Sequence, residues 1–521
     1  MNSIVSLPLH FNFLHIMTLI PSTAALYSQY RHYLQKIADI RYAAAVLQWD
    51  QETVMPLEGS SCRARQLATL SEISHEMFTS DKMGNLLKEL GSKNDLSPKE
   101  KSNIELSLYD YNRQKKLPSS FVHTLSEAIS QSFQSWLKAR KENAFAVFEK
   151  DLDRIIHLKK QETDYLGFEG HPYDALLNEY ERGCTVAMLD RSFIDLQEPL
   201  RELLHKIENR EQVDDTFLLQ HFPKQQQWDY SMQLIRQLGF DFEAGRQDLS
   251  EHPFTTSFSN KDVRITTRIN ENDFGNMTWS CMHELGHALY EQGLPGEEYG
   301  LPLGEYASLS IHESQARLWE NNVGRSLPFW KYHFTLLHDF FPQQFARITP
   351  AHFHKGINKV QSSLIRTEAD EITYHFHVII RYELEKLLLE GTIGTREIPA
   401  AWNELYQRYL GVKVPDDKSG CLQDVHWSHG SFGYFPTYSL GSLYAAQLYS
   451  TAEKQLPSLE EDIAGGRTNT LLNWLRAGIH AQGRKFTSAE LCENITGEPL
   501  NSKYFVYYIV TKFSGIYDLG E

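Results

Sequence analysis

Apolar residues recur at three- and four-residue spacing along almost the whole chain, and at two-residue spacing in one place. Between Leu26 and about Ile207 the pattern is that of long helices, opening with Tyr30, Tyr33, Leu34, Ile37, Ile40, Ala44 and Leu47. Similar stripes run through 62–90, 97–115 and 119–166, and again through 276–292, 308–323, 357–390, 397–410, 437–454 and 469–482. The exception is Val263, Ile265, Thr267 and Ile269, which alternate with Arg264, Thr266 and Arg268 as in a strand. Phe254 to Phe258 offers a second strand to pair with it. The expected class is therefore mainly α with one small β-sheet. The charged stretch 140–165 reads as a solvated helix face.

At 521 residues, with 41% hydrophobic, 12% aromatic and 23% charged residues, the composition is globular. It excludes disorder, collagen and a spanning membrane protein. The length suggests about three domains of roughly 100–200 residues. No Ser/Gly-rich, Pro-rich or charge-block linker interrupts it, so residues 25–521 are expected to form one catalytic domain of two interlocked helical lobes. The net charge of −16 argues against nucleic acid or an anionic membrane as partner. Five scattered cysteines with no CxxC pair fit reduced thiols and a cytoplasmic protein. Residues 1–24 read as an N-terminal extension. They lack the basic start of a secretion signal and are broken by Pro8 and Pro21. Met17 is an alternative start.

Residues 283–287 read His-Glu-Leu-Gly-His. On a helix, positions i and i+4 share a face, so His283 and His287 can reach one ion, with Glu284 beside it. Zinc suits imidazole nitrogen and leaves room for a water. Gly293 and Pro295 end the helix. A catalytic zinc needs a third protein ligand. Glu313, 26 residues after His287, lies on the next helical stretch. A chain reversal through 293–305 would set it beside the histidines. The competing reading is a surface glutamate paired with Arg317 one turn on. Spacing alone leaves the two open.

Further motifs follow in order: Trp49-Asp-Gln-Glu-Thr-Val-Met-Pro56, His252-Pro-Phe254, Asp262-Val-Arg-Ile-Thr266, His312-Glu-Ser314, Ile365-Arg-Thr-Glu-Ala-Asp370 and Gly420-Cys-Leu-Gln-Asp-Val-His-Trp427. With HELGH, they make the chain from about residue 25 onward resemble the metallocarboxypeptidases of the carboxypeptidase Taq family. The resemblance implies a helical fold with a deep groove, like that of neurolysin and angiotensin-converting enzyme. It implies zinc, with cobalt able to substitute, and a homodimer. It further implies removal of single C-terminal residues from peptides with broad preference, Pro at that end being disfavoured. Carried over by motif, His283, His287 and Glu313 are the zinc ligands and Glu284 is the base.

The chemistry asks for two further groups. A tetrahedral oxyanion needs a hydrogen-bond donor. Tyr434 and Tyr438 are the candidates, Tyr434 favoured because the related helical peptidases use a tyrosine in this region. The free carboxylate of the substrate needs a fork-shaped cation. Arg366, expected on a helix beginning near Gly356, is preferred to Arg264, expected at the closed end of the groove. His426 is expected to hydrogen-bond substrate or oxyanion, with Asp424 orienting it. His252-Pro-Phe254 and Trp49–Pro56 are expected to be structural. The alternative function is a zinc endo- or oligopeptidase of the same fold.

Overall fold

The computed structural model of the chain describes residues 21–250 and 252–520. Most of the extension expected over residues 1–24 lies outside these. Among the described residues are twenty α-helices and three strands. The expected helices at 276–292, 397–410 and 437–454 form as Phe274–Gly293, Ile398–Leu410 and Pro436–Gln455. The first helix, Thr23–Thr53, is capped by Ser22, whose hydroxyl accepts from the Ala25 N–H at 3.2 Å. It stops ahead of Pro56, where the chain turns toward the next helix.

Two expected helices differ. The stretch 357–390 is α-helical only from Tyr374 to Glu390: a separate short helix, Pro350–Gly356, ends just before it, and a 3₁₀ turn, Arg366–Glu368, lies between. Asp370 causes the break: its carboxylate accepts from the backbone N–H groups of Gln361, Ile372 and Thr373 at 3.1, 2.9 and 2.9 Å, which competes with helical pairing. The stretch 308–323 begins as an α-helix, Leu309–Arg317, and continues as a π-helical turn, Leu318–Val323.

The sheet has strands β1 (Gly245–Leu249), β2 (Thr255–Ser259) and β3 (Asp262–Thr267) in the order β1-β3-β2. β3 is the strand expected from alternation, and β2 pairs antiparallel with it. β1 pairs parallel with β3. Its sequence, GRQDL, carries no apolar alternation, so periodicity does not reveal it. With β3 in the middle, β2 is an edge, and this edge faces the HELGH helix.

One large apolar cluster fills most of the molecule, and a second joins Tyr30, Leu34, Ile37, Met83, Leu87, Leu90 and Ile104 of the N-terminal helices. Each fully buried Leu or Phe contributes roughly 1.5–3 kcal/mol. A groove of about 2070 Å³ runs between the N-terminal helices and the HELGH helix, lined by residues of both. No helix among the described residues is long and apolar enough to cross a membrane.

Candidate active site

Asp273 starts the HELGH helix by accepting from the N–H groups of Gly275 and Asn276 at 2.8 and 3.3 Å. Phe274, Met277, Cys281, Leu285, Ala288 and Leu289 bury one side of it. His283, Glu284 and His287 line the groove. The helix Leu309–Arg317 returns antiparallel: Gly286 sits against Gln315 and Ala316, and the Tyr290 hydroxyl accepts from the Ala307 N–H at 3.1 Å. A Cβ on Gly286 would lie 2.5 Å from the Ala316 Cα, so the glycine of HELGH sets how closely the two helices approach. Behind them, Gly441 of Pro436–Gln455 does the same for Glu313, where a Cβ would meet Cγ at 2.4 Å.

Oε2 of Glu313 lies 3.6 Å from Nε2 of His283 and 3.6 Å from Nε2 of His287. Donors bound tetrahedrally to one zinc-sized ion sit about 3.3–3.6 Å apart, so this spacing fits a single divalent cation. The donor set, two imidazole nitrogens and one carboxylate oxygen, is that of a metal site, and all its ligand atoms lie within 4.8 Å of one another. Glu313 is buried rather than a surface group, but its pairing with Arg317 holds beside the metal site: Oε2 belongs to the metal site while Oε1 accepts from Arg317 Nε at 2.6 Å. His283 is oriented from behind, its Nδ1 lying 2.9 Å from Oε2 of Glu320. Burial alone would push Glu320 up, yet Arg317, His283 and Arg325 hold its carboxyl down at about 2. Burial, with His312 and His283 nearby, keeps His287 well below the usual imidazole range and hence neutral, as a ligand must be.

Glu284 is 6% exposed, and burial raises its carboxyl above the usual range against the pull of His283 and Thr255. The Thr255 hydroxyl donates to Oε2 of Glu284 at 2.6 Å. Two residues along β2, the Ser257 hydroxyl donates to Oε2 of Glu291 at 2.8 Å, and Oε1 of that glutamate lies 2.8 Å from Nε2 of His312. The His312 ring stacks on His287 with centroids 4.4 Å apart.

Arg366 lines the groove from the 3₁₀ turn rather than from a helix. Its Nε and Nη2 lie 3.0 and 2.9 Å from Oδ1 of Asp424, its Nη1 donates to the Tyr374 hydroxyl at 2.9 Å, and it packs over the Tyr438 ring at 4.8 Å. A guanidinium has five N–H donors, so Arg366 keeps two beyond these bonds. Tyr374 also stacks under Arg317 at 4.3 Å, which links Arg366 to the Glu313–Arg317 pair. Asp424, expected to orient His426, makes no hydrogen bond to it; one of its oxygens is taken by Arg366. Its other oxygen takes Arg381 Nε at 2.6 Å, and Arg381 is wholly buried against Trp402. Burial favours the neutral acid, but Arg381 and Arg366 hold the Asp424 carboxyl well below its usual range.

His426 pairs through Nε2 with the Tyr438 hydroxyl at 3.1 Å, and burial followed by Arg366 lowers it to about 3, so it is neutral. Burial raises the phenols of Tyr434 and Tyr438, so both keep their protons as donors, and the Glu313 charge is among those that raise each. Of the expected site residues, Arg264 alone is not part of the groove lining. It pairs with Asp262 at 2.9 Å and is sandwiched by Trp49 and Phe258 at 4.6 and 4.9 Å, because a strand side chain facing the N-terminal helix reaches that helix first. It thereby ties the Trp49 motif to the sheet.

Sequence reasoning did not single out Glu320, Arg381, Thr255 or Glu291. Glu320 carries a signal, since seven residues beyond Glu313 make two turns of a regular α-helix, although the folded chain takes a π-helical turn over Leu318–Val323. The others reach the site only through long-range packing.

The sequence pattern of the carboxypeptidase Taq (M32) metallopeptidases matches residues 29–513. Carboxypeptidase 1 of Bacillus subtilis is 37% identical over 486 residues, which is 93% of this chain and 97% of that one. Thermostable carboxypeptidase 1 of Thermus thermophilus is 38% identical over 506 residues, 95% of this chain and 99% of that one. The crystal structure of an M32 carboxypeptidase from Deinococcus radiodurans superposes with a TM-score of 0.92 at 37% identity, covering 95% of this chain and 99% of that chain. A helical groove built round a His283/His287/Glu313 metal site has the same overall form, and the chain belongs to the carboxypeptidase Taq (M32) family of metallopeptidases.

Proposed function

We propose that this metallocarboxypeptidase uses zinc, replaceable by cobalt, to release single C-terminal residues from short or unfolded peptides, with broad preference and Pro disfavoured at that end. The observation that carries the reading is Oε2 of Glu313, equidistant at 3.6 Å from the two imidazole nitrogens, on the helix facing buried Glu284. When bound, the cation acidifies a water and polarises the scissile carbonyl.

The protein's own groups do the rest. Glu284 takes the proton of the attacking water and returns it to the leaving amine. Tyr434, with Tyr438 behind it, supplies an O–H to the developing oxyanion. Arg366 receives the substrate carboxylate on its two uncommitted N–H groups. Asp424 holds the opposite edge of the guanidinium, so its fork is fixed before substrate arrives. His426 braces the Tyr438 hydroxyl, keeping the aromatic wall beneath Arg366 in place.

The second reading is a zinc endo- or oligopeptidase, which needs the same metal core without a carboxylate clamp. A short peptide and its C-terminally amidated twin separate the two. Amidation is expected to abolish cleavage, and equal turnover of both forms would establish endopeptidase activity instead.

A further inference from the structure

The proposed base, Glu284, has two oxygens, and one of them is already engaged: Oε2 accepts from Thr255 at 2.6 Å. Thr255 opens β2, the edge strand beside the HELGH helix. The strand's register explains how its hydroxyl comes to this point. In β2 alternate residues share a face, and Thr255 and Ser257 turn theirs toward the helix, meeting Glu284 and Glu291, two turns apart.

The start of β2 is pinned from the other side by β3. The Thr266 backbone N–H donates to the Phe254 carbonyl at 2.9 Å, and the Phe254 N–H donates to the Thr266 hydroxyl at 2.9 Å. Two motifs otherwise without a chemical role, His252-Pro-Phe254 and Asp262-Val-Arg-Ile-Thr266, thus clasp each other one residue ahead of Thr255.

From this we infer that Thr255 is a positioning residue for the reaction. It fixes Oε2 of Glu284 so that Oε1 alone is presented to the attacking water, and the Phe254–Thr266 clasp sets its place. The inference rests on the assignment of Glu284 as base. A buried carboxylate without this partner keeps rotamer freedom and loses a charge-assisted bond, so removal of the hydroxyl acts on turnover and not on substrate binding.

The test uses the metal-loaded full chain with Thr255→Val, which keeps the shape, and Thr255→Ser, which keeps the hydroxyl. Thr255→Val is expected to lower kcat by roughly 10- to 100-fold, with KM, metal content and Tm near those of the parent. Thr255→Ser is expected to recover most of the loss. If Thr255→Val melts early, Thr255→Ala against Thr255→Ser makes the same comparison. Parental kcat in Thr255→Val overturns the inference, as does a loss of equal size in Thr255→Ser, which would assign the effect to packing. Glu284→Gln separates the two levels: if it retains turnover, the base assignment fails. If it is inactive while Thr255→Val is fully active, only the role of Thr255 fails.

Discussion

Nδ1 of His283 and Oε2 of Glu320 lie 2.9 Å apart, and the same carboxylate also takes Arg317 and Arg325 at 3.4 and 3.5 Å. One buried acid thus fixes the tautomer of a metal ligand and joins it to the arginine that holds Glu313. Glu320→Gln keeps the shape and removes the charge. It is expected to weaken metal retention by roughly 10- to 100-fold, measured by competition with a chelator, with the helical circular-dichroism signal unchanged.

Arg366 presents a fork where lysine presents a point charge. Arg366→Lys is expected to raise KM for a free-acid peptide by roughly tenfold or more while kcat changes less. Steady-state kinetics on one short peptide checks this. A fall in kcat at unchanged KM would place Arg366 elsewhere in the mechanism.

Gly441 leaves room for Glu313, since a Cβ there would meet Cγ at 2.4 Å and Cβ at 2.6 Å. Overpacking of this kind costs roughly 1–3 kcal/mol. In Gly441→Ala the strain falls on the ligand, so metal affinity should drop by roughly 5- to 150-fold on the same energy scale. Isothermal titration of the apoprotein with zinc reads the change.

Glu385 accepts from the Trp427 indole and the Gly433 N–H, each at 2.8 Å, and from the Tyr173 hydroxyl. Burial pushes it from 4.5 to about 7 against the pull of those bonds. Between these values the folded chain keeps the proton and the unfolded chain has released it. Stability contributed by this group therefore falls as pH rises through the window, by about 1.4 kcal/mol for each unit of displacement. Urea unfolding at several pH values should show a shallower decline in Glu385→Gln than in the parent. Parallel slopes would refute the assignment.

The metal helix was legible because its information is local. HELGH and the Gly293 stop lie within one run of sequence, and the apolar face repeats through it. Glu313 was legible as a candidate, but spacing could not choose between metal and Arg317, and the folded site uses one oxygen for each. The break before Arg366 escaped because Asp370 acts on backbone groups as far back as Gln361. Arg381 and Thr255 escaped for a related reason: each acts across a contact between elements distant in sequence. Arg264 lies on the expected strand but outside the groove lining, because its motif gives the strand and not which neighbour its outward face meets.

The helix carrying Glu313 changes pitch immediately after Arg317, where Leu318–Val323 forms a π-helical turn. Such a turn accommodates a surplus residue in an α-helix. Excising one residue between Arg317 and Glu320 would tighten the coil and turn Glu320 round the axis, away from Nδ1 of His283. His283, His287 and Glu313 would all survive in the gene, yet the first of them would have lost its brace. A chain shortened in this way keeps every letter of the metal signature and holds its ion poorly, so an intact HELGH followed by Glu is not by itself proof of a competent enzyme.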